Sequence, residues 1–324
     1  VMNFSFCVQH QLRTTTFDVA YVGSLGRHLS VQRNINAIPL FARFDPKNAD
    51  PTQTGTPLQD NFFRPHRGYG NINDRMFTGT SNYHSLQVSA NRRFAKGVQF
   101  GLAYTWSKTL TVSSGDTGGL TSYFADRSWN YGPANYDQPH TLVFNYIYDV
   151  PRIGAKTGFR PVGWVLDNWQ ISGITSFMSG NPFTPGFNTV DGQDITGSTD
   201  GARITVVGNP RLAKSQKTFN RTFNTDVFKR TPQGSFGNAG VSILYGPGIN
   251  NWDLAISKRI PLFSEGCYVQ FRTEMFNAWN HTQFAGQNAT ARFDKNGVQT
   301  DPNFGAYTSA APPRIIQLSL RLMF

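Results

Sequence analysis

The stretch that most restricts the fold is Arg314–Phe324. Ile316, Leu318, Leu320, Leu322 and Phe324 occupy alternate positions, with Gln317, Ser319 and Arg321 between them. Successive side chains of a strand point to opposite faces, so this pattern predicts a strand with one apolar and one polar face. A strand of about 9–11 residues crosses a bilayer when tilted. The competing reading is an edge strand buried in a soluble sandwich. Chain ends of soluble domains usually fray, so an apolar terminal strand favours the membrane reading, with Phe324 in an aromatic girdle.

The same alternation recurs upstream. Phe6 and Val8 share a face on one segment, and Phe17, Val19 and Tyr21 on the next. A turn at Arg13-Thr14 pairs Leu12 with Thr15, Val8 with Val19 and Phe6 with Tyr21, so the apolar faces coincide. A slip of one residue would destroy that match. Leu86, Val88, Ala90 and Phe94 form a third set. A three-residue turn, Ala95-Lys96-Gly97, then leads to Val98, Phe100, Leu102, Tyr104 and Trp106, whose other face carries Gln99 and Ser107. Strands follow at Thr141–Asp149 (Leu142, Phe144, Tyr146, Tyr148) and Trp169–Met178 (Trp169, Ile171, Phe177). Two more carry Trp252, Leu254 and Ile256, and Val269, Phe271, Thr273 and Met275, joined by a turn over Pro261–Gly266. The pairing expected there sets Asp253 opposite Glu274, with Arg272 diagonal to both.

Short and long connections alternate. The long ones run from Ser24 to Thr80, Lys108 to His140 and Gly180 to Asn250, and a further one precedes the last strand. The expected fold is all-β, an antiparallel transmembrane barrel segment of about nine strands with short periplasmic turns and long extracellular loops. Single-chain bacterial barrels have even strand counts, so with an odd count residues 1–324 are expected to be the C-terminal part of a larger barrel.

This reading assigns faces. Phe6, Val8, Val19, Phe100, Leu102, Phe144, Leu254, Phe271 and Leu318 face lipid. Gln99, Asp253, Gln270, Arg272, Glu274, Gln317 and Arg321 face the lumen. Tyr21, Trp106, Phe177 and Trp252 form an outer girdle, with Tyr148 and Phe324 at the inner edge. Arg92 and Lys258 carry lipid-facing parity beside periplasmic turns, where long basic side chains snorkel to head groups.

Composition agrees. No apolar run reaches the roughly eighteen residues of a membrane helix, and mean hydropathy is −0.38, which a barrel with a wet interior tolerates. The 27 Phe, 12 Tyr and 6 Trp suit strands and girdles. The net charge of +11 is scattered and not gathered into a basic run with interleaved aromatics. It points to outer-membrane lipid and lipopolysaccharide and not to nucleic acid. Cys7 and Cys267 are not expected to pair. No secretion signal opens the chain, so the expectation is that the start of an exported protein is missing.

Motifs for catalysis, nucleotides or paired-cysteine metal sites are lacking, and no catalytic, cofactor or metal residues are assigned. Asp191, Asp194 and Asp200 carry the oxygens calcium uses, but their spacing is not an EF-hand loop, and a solvated loop is expected. Tyr136–His140 reads as a junction between loop and strand. Phe62, Phe63, Tyr69 and Tyr123 are loop aromatics that either grip a ligand or pack the loops together.

Several segments resemble the TonB-dependent receptor superfamily in its Oar-like branch. They are Phe17–Ser24, Tyr83–Val88 with Arg93-Phe94, Tyr104–Lys108, Tyr136–His140, Asn168–Gly173 with Ser179–Thr184, Gln270–His281 and Pro313-Arg314. Their order spans nearly the whole chain. The resemblance implies a barrel of roughly 22 strands, within the range of such barrels, around the protein's own plug domain. It also implies an upstream carboxypeptidase-regulatory-like domain and a TonB box engaging the TonB–ExbB–ExbD complex. Leu320, Leu322 and Phe324 resemble the signal read by the barrel-assembly machinery. A passive porin-like channel and a surface adhesin are the alternatives.

Overall fold

The computed structural model describes residues 1–115, 118–121, 127–154, 160–262 and 266–324. Its long strands are β1 (Met2–Leu12), β2 (Thr15–Asn34), β3 (Asn73–Ala95), β4 (Val98–Thr111), β5 (His140–Asp149), β6 (Trp169–Met178), β7 (Ile249–Pro261), β8 (Tyr268–Phe276) and β9 (Ile315–Met323), with shorter strands in the connections. They form one sheet in chain order, every pair antiparallel, with the short segment Gly132–Pro133 bonded beside β4. Among the described residues, β1 and β9 are each paired on one side only, so the sheet is not closed.

Alternation fixed the register wherever a turn is tight. Leu12 pairs Thr15, Val8 pairs Val19 and Phe6 pairs Tyr21. Between β3 and β4 the turn is Lys96-Gly97, one residue shorter than expected. Both residues have positive φ (52° and 77°), the geometry that suits the twist of a hairpin. One extra residue of β3 bulges between Arg92 and Ala95. The bulge restores the parity, and Leu86, Val88 and Ala90 face Trp106, Tyr104 and Leu102.

Two expectations are corrected. First, the connection placed at Ser24–Thr80 is strand at both its ends: β2 and β3 stay paired as far as Asn34 and Asn73. A bulge on β2 after Gly26, where His28 has φ 56°, is cancelled by one on β3 before Gly79. These extra residues scrambled the period on which the sequence reading depended. Second, Ala255, not Asp253, lies opposite Glu274. Pairing runs on to Pro261 and Tyr268, closed by Leu262 N–H donating to the Cys267 carbonyl (3.0 Å). A shift of two leaves every side chain on its face, so alternation is blind to it. The expected turn falls partly on residues 263–265, outside the described residues.

Among the described residues, helices occur only in the connections, as the short segments Arg127–Asn130 and Arg160–Leu166 and a few single turns. None is long and apolar enough to cross a membrane.

The packed core is not in the sheet. The fully buried cluster Ile204, Phe223, Phe228, Ala239, Leu244, Ala291, Phe293 and Phe304 lies in the connections 179–248 and 277–314. Large apolar side chains of the strands stay exposed instead: Phe6 by 70%, Leu318 by 68% and Leu320 by 71%. Burying one such side chain is worth about 1.5–3 kcal/mol. A soluble sheet would have covered that face with its core, and this one does not.

Candidate functional site, a two-faced wall beneath a folded cap

Antiparallel partners share a face, so the register sorts the wall. From β1 to β5, one row reads Phe6, Tyr21, Leu86, Trp106 and His140. Further rows join Leu102 to Phe144, Gly173 to Leu254 and Met275, and Phe271 to Leu320. All the residues expected to face lipid fall on this one face: Phe6, Val8, Val19, Phe100, Leu102, Phe144, Leu254, Phe271 and Leu318. Tyr21, Trp106, Tyr148, Phe177 and Trp252 share it. Phe177 meets Trp252 edge-on with ring centres 5.9 Å apart, and Trp252 meets Trp279. Two tyrosine–histidine pairs stand on the same face: Tyr21 with His84 (2.7 Å) and Tyr104 with His140 (2.9 Å). Sequence reading missed both, because each pair joins different strands.

Gln99, Asp253, Gln270, Arg272, Glu274, Gln317 and Arg321 share the opposite face. Glu274 pairs with Gln317, Arg272 with Ser319 and Gln270 with Arg321. The expected charge ladder between strands is replaced by an ion pair within β8: Arg272 Nη2 lies 2.7 Å from Glu274 Oε1. Asp253 instead accepts from the Asn277 N–H (2.9 Å). A cleft of about 330 Å³ opens on this face, bordered by Gln99, Asn145, Ser172, Asp253, Arg272 and Glu274.

At the rim of the long connections, four segments fold together into a cap. Gly186–Thr189 and Thr290–Phe293 form a parallel pair. Arg43 joins the 35–72 connection to the 179–248 connection by ion pairs to Asp60 (3.0 Å) and Asp194 (2.7 Å). Burial lowers the Arg43 pKa, but the bonds to the two aspartates outweigh it and the net direction is up. Asp191 pairs with Arg230 at 3.0 Å. Burial raises the pKa of its carboxyl, and Arg230 more than offsets that, holding it below the usual carboxylate range. Asp191 and Asp194 are thus spent on arginines. Among the described residues no three candidate ligands gather as for a metal. Of the loop aromatics, Phe63 is buried while Phe62 and Tyr69 are exposed; Tyr123 lies outside the described residues. Phe62 and Phe63 border a cleft of about 550 Å³ with Phe41 and Phe44.

The Tyr136–His140 junction holds more than its sequence suggests. The Asp137 side chain is fully buried. It accepts from Lys108 Nζ (3.1 Å), the Thr109 N–H (2.6 Å) and the Tyr245 hydroxyl (3.0 Å). One carboxylate thereby ties β4 to two connections. Lys108 and Asp137 each stood in a quoted motif, and that was the available signal. Their contact was not, with the 112–136 segment between them.

Arg92 and Lys258, the basic residues expected beside the tight turns, both bond to nearby carbonyls. Arg92 donates to the Ala95 carbonyl at its own turn (3.1 Å). Lys258 is only 8% exposed, and its ammonium is held by the carbonyls of Val165 and Asp167 (2.9 Å each).

A wall with one greasy and one wet face, turning tightly at one rim and capped at the other, defines part of a transmembrane β-barrel. Residues 1–317 match the family described as outer membrane beta barrel domain. The chain belongs to that family, whose place is the bacterial outer membrane. No curated protein matches its sequence. Among solved structures it is similar to the outer membrane transporter YddB from Escherichia coli, with 10% identity and a TM-score of 0.45, covering 99% of this chain and 32% of that one. It is also similar to FpvA from P. aeruginosa, bound there to a heterologous pyoverdine with iron, with 10% identity and a TM-score of 0.38. That match covers 99% of this chain and 27% of the other. The chain therefore spans about a third or less of either.

Proposed function

We propose that this chain supplies part of the barrel of a TonB-dependent outer-membrane receptor of the Oar-like branch, which moves a ligand across the outer membrane with energy from TonB–ExbB–ExbD. In this reading the short turns are periplasmic and the cap is extracellular. The apolar face meets lipid, and the Gln99–Arg321 set lines the lumen and meets the protein's own plug. The supporting observation is the division of labour in the molecule: the wall keeps both faces free of core, and the packed aromatic core sits at one rim. A barrel that admits ligand from outside needs a wall of this kind and an ordered outer surface. The motif resemblance across the chain adds the energy-coupled class.

The test uses the full-length protein. It is expected to fractionate with outer membranes, to show no steady large conductance in planar bilayers, and to need TonB for uptake. A large, permanently open conductance would replace this reading with the passive channel. A soluble location would end both.

A further inference from the structure

The β5–β6 connection is neither a bare turn nor a solvated loop. Its helical segment Arg160–Leu166 presents Trp164 (69% exposed), Val165 (64%) and Leu166 (43%). Three neighbouring large apolar side chains left uncovered on a short helix require a partner.

The fold says where that partner lies. Lys258 sits in the row Trp169, Lys258, Phe271, Leu320, on the apolar face of the wall. Its ammonium stands 4.7 Å over the Trp169 ring and donates to the Val165 and Asp167 carbonyls at the end of the helix. A cation there satisfies carbonyls that a helix leaves unpaired and complements its dipole. Trp169 Nε1 donates to the same Val165 carbonyl (2.8 Å). The Asp167 carboxylate, on a residue itself 8% exposed, accepts from the Gly154 N–H (2.7 Å), closing the connection on itself. The helix is therefore clamped to the lipid-side rim of the wall and held there with its apolar side chains bare.

We infer that Arg160–Leu166 is an interfacial anchor that inserts Trp164, Val165 and Leu166 into the phospholipid leaflet bordering the short-turn rim. The occupant is lipid because the end of the helix is held against the apolar face of the wall, through Trp169 and Lys258. A helix of this kind lies about 5–10 Å into the boundary between head groups and acyl chains. Lys258 gives up its own reach to the head groups in order to fix this depth.

The inference rests on the apolar face being the lipid face, and the experiment separates the two. The full-length protein is reconstituted in vesicles of phosphatidylethanolamine and phosphatidylglycerol. Part of the lipid is replaced by phosphatidylcholine brominated either just below the head group or near the chain ends. The emission of Trp164 is taken as wild type minus Trp164→Phe, and that of Trp106, on the wall, as wild type minus Trp106→Phe. The expected result is that Trp164 is quenched most by the shallow bromines and little by aqueous acrylamide. Val165→Ser with Leu166→Ser should move Trp164 toward acrylamide. Trp164 quenched by acrylamide and by neither bromolipid, with Trp106 still quenched by bromolipid, would overturn the anchor alone. If Trp106 is untouched by either bromolipid, the lipid-face assignment falls, and the anchor with it.

Discussion

Leu102 and Ala103 are adjacent on β4 and point to opposite faces, which makes them the sharpest test of the wall. Leu102 lies between Ala90 and Phe144, and Ala103 between Ser89 and Val143. Along β4, Leu102 stands midway between Val98, at the tight turn, and Trp106, in the expected outer girdle. At about 3.4 Å per residue that interval is about 27 Å of strand. A tilt of about 40° reduces it to about 21 Å of depth, close to the roughly 25 Å apolar band of such barrels. On the proposed reading Leu102 therefore lies near the bilayer midplane, where Arg on the lipid face costs about 2–4 kcal/mol. Each 1.4 kcal/mol is about tenfold in an equilibrium constant, so Leu102→Arg should lower the folding equilibrium constant about thirtyfold to several hundredfold. Ala103→Arg, facing water, should cost well under about 1 kcal/mol, the range of an ordinary surface change. The assay is folding of the full-length protein into phosphatidylcholine vesicles across a urea series, read by gel mobility without heating. Equal costs at the two positions, or a larger one at Ala103, would refute the assignment of faces.

The cap and the turns give further expectations. Asp137→Ala strands the Thr109 N–H at a part-buried site, which costs about 1–3 kcal/mol, and leaves the Tyr245 hydroxyl with only its bond from Lys108 Nζ (2.7 Å). Hydrogen exchange should quicken at Thr109 and Tyr245 while β8 and β9 keep their protection; uniform protection would count against the tie. The Asp191 carboxyl has a lowered folded pKa, so its contribution is present at neutral pH and fades as pH falls through the carboxylate range. Exchange in Gly186–Thr189 and Thr290–Phe293 should rise on acidification, and Arg230→Gln should flatten that response. Gly97 combines a φ of 77° with an Asp149 carbonyl 3.1 Å from where a Cβ would sit. Gly97→Val is thus expected to cost more than the roughly 1–2 kcal/mol of the left-handed backbone alone, seen as a lower urea midpoint.

The wall was legible because its physics is local and repetitive. Each strand sorts its own side chains, and a tight turn such as Arg13-Thr14 transmits that sorting to the next strand without slack. Legibility failed wherever that transmission loosened. Two opposed bulges hid the upper halves of β2 and β3. A six-residue connection let β7 and β8 settle two residues from the expected pairing, and this moved the partner of Arg272 from the neighbouring strand to its own. Asp253 and Glu274 still share one face of the sheet, so alternation grouped them correctly while missing their contacts.

The cap was illegible for a different reason. Its core gathers Phe223, Phe228, Phe293 and Phe304, residues separated by long stretches of chain rich in Pro, Asn and Gly and without a period. Nothing local marks Phe293 as fully buried and Phe219 as 56% exposed; their surroundings decide it. The same holds for Asp137, whose burial depends on Lys108 and Tyr245 arriving from two different segments. Yet these non-local contacts are what turn four connections into one ordered surface. A solvated loop pays no desolvation cost, whereas a buried carboxylate with three donors is stable only while all three stay in place. The cap is therefore expected to open as a unit or not at all.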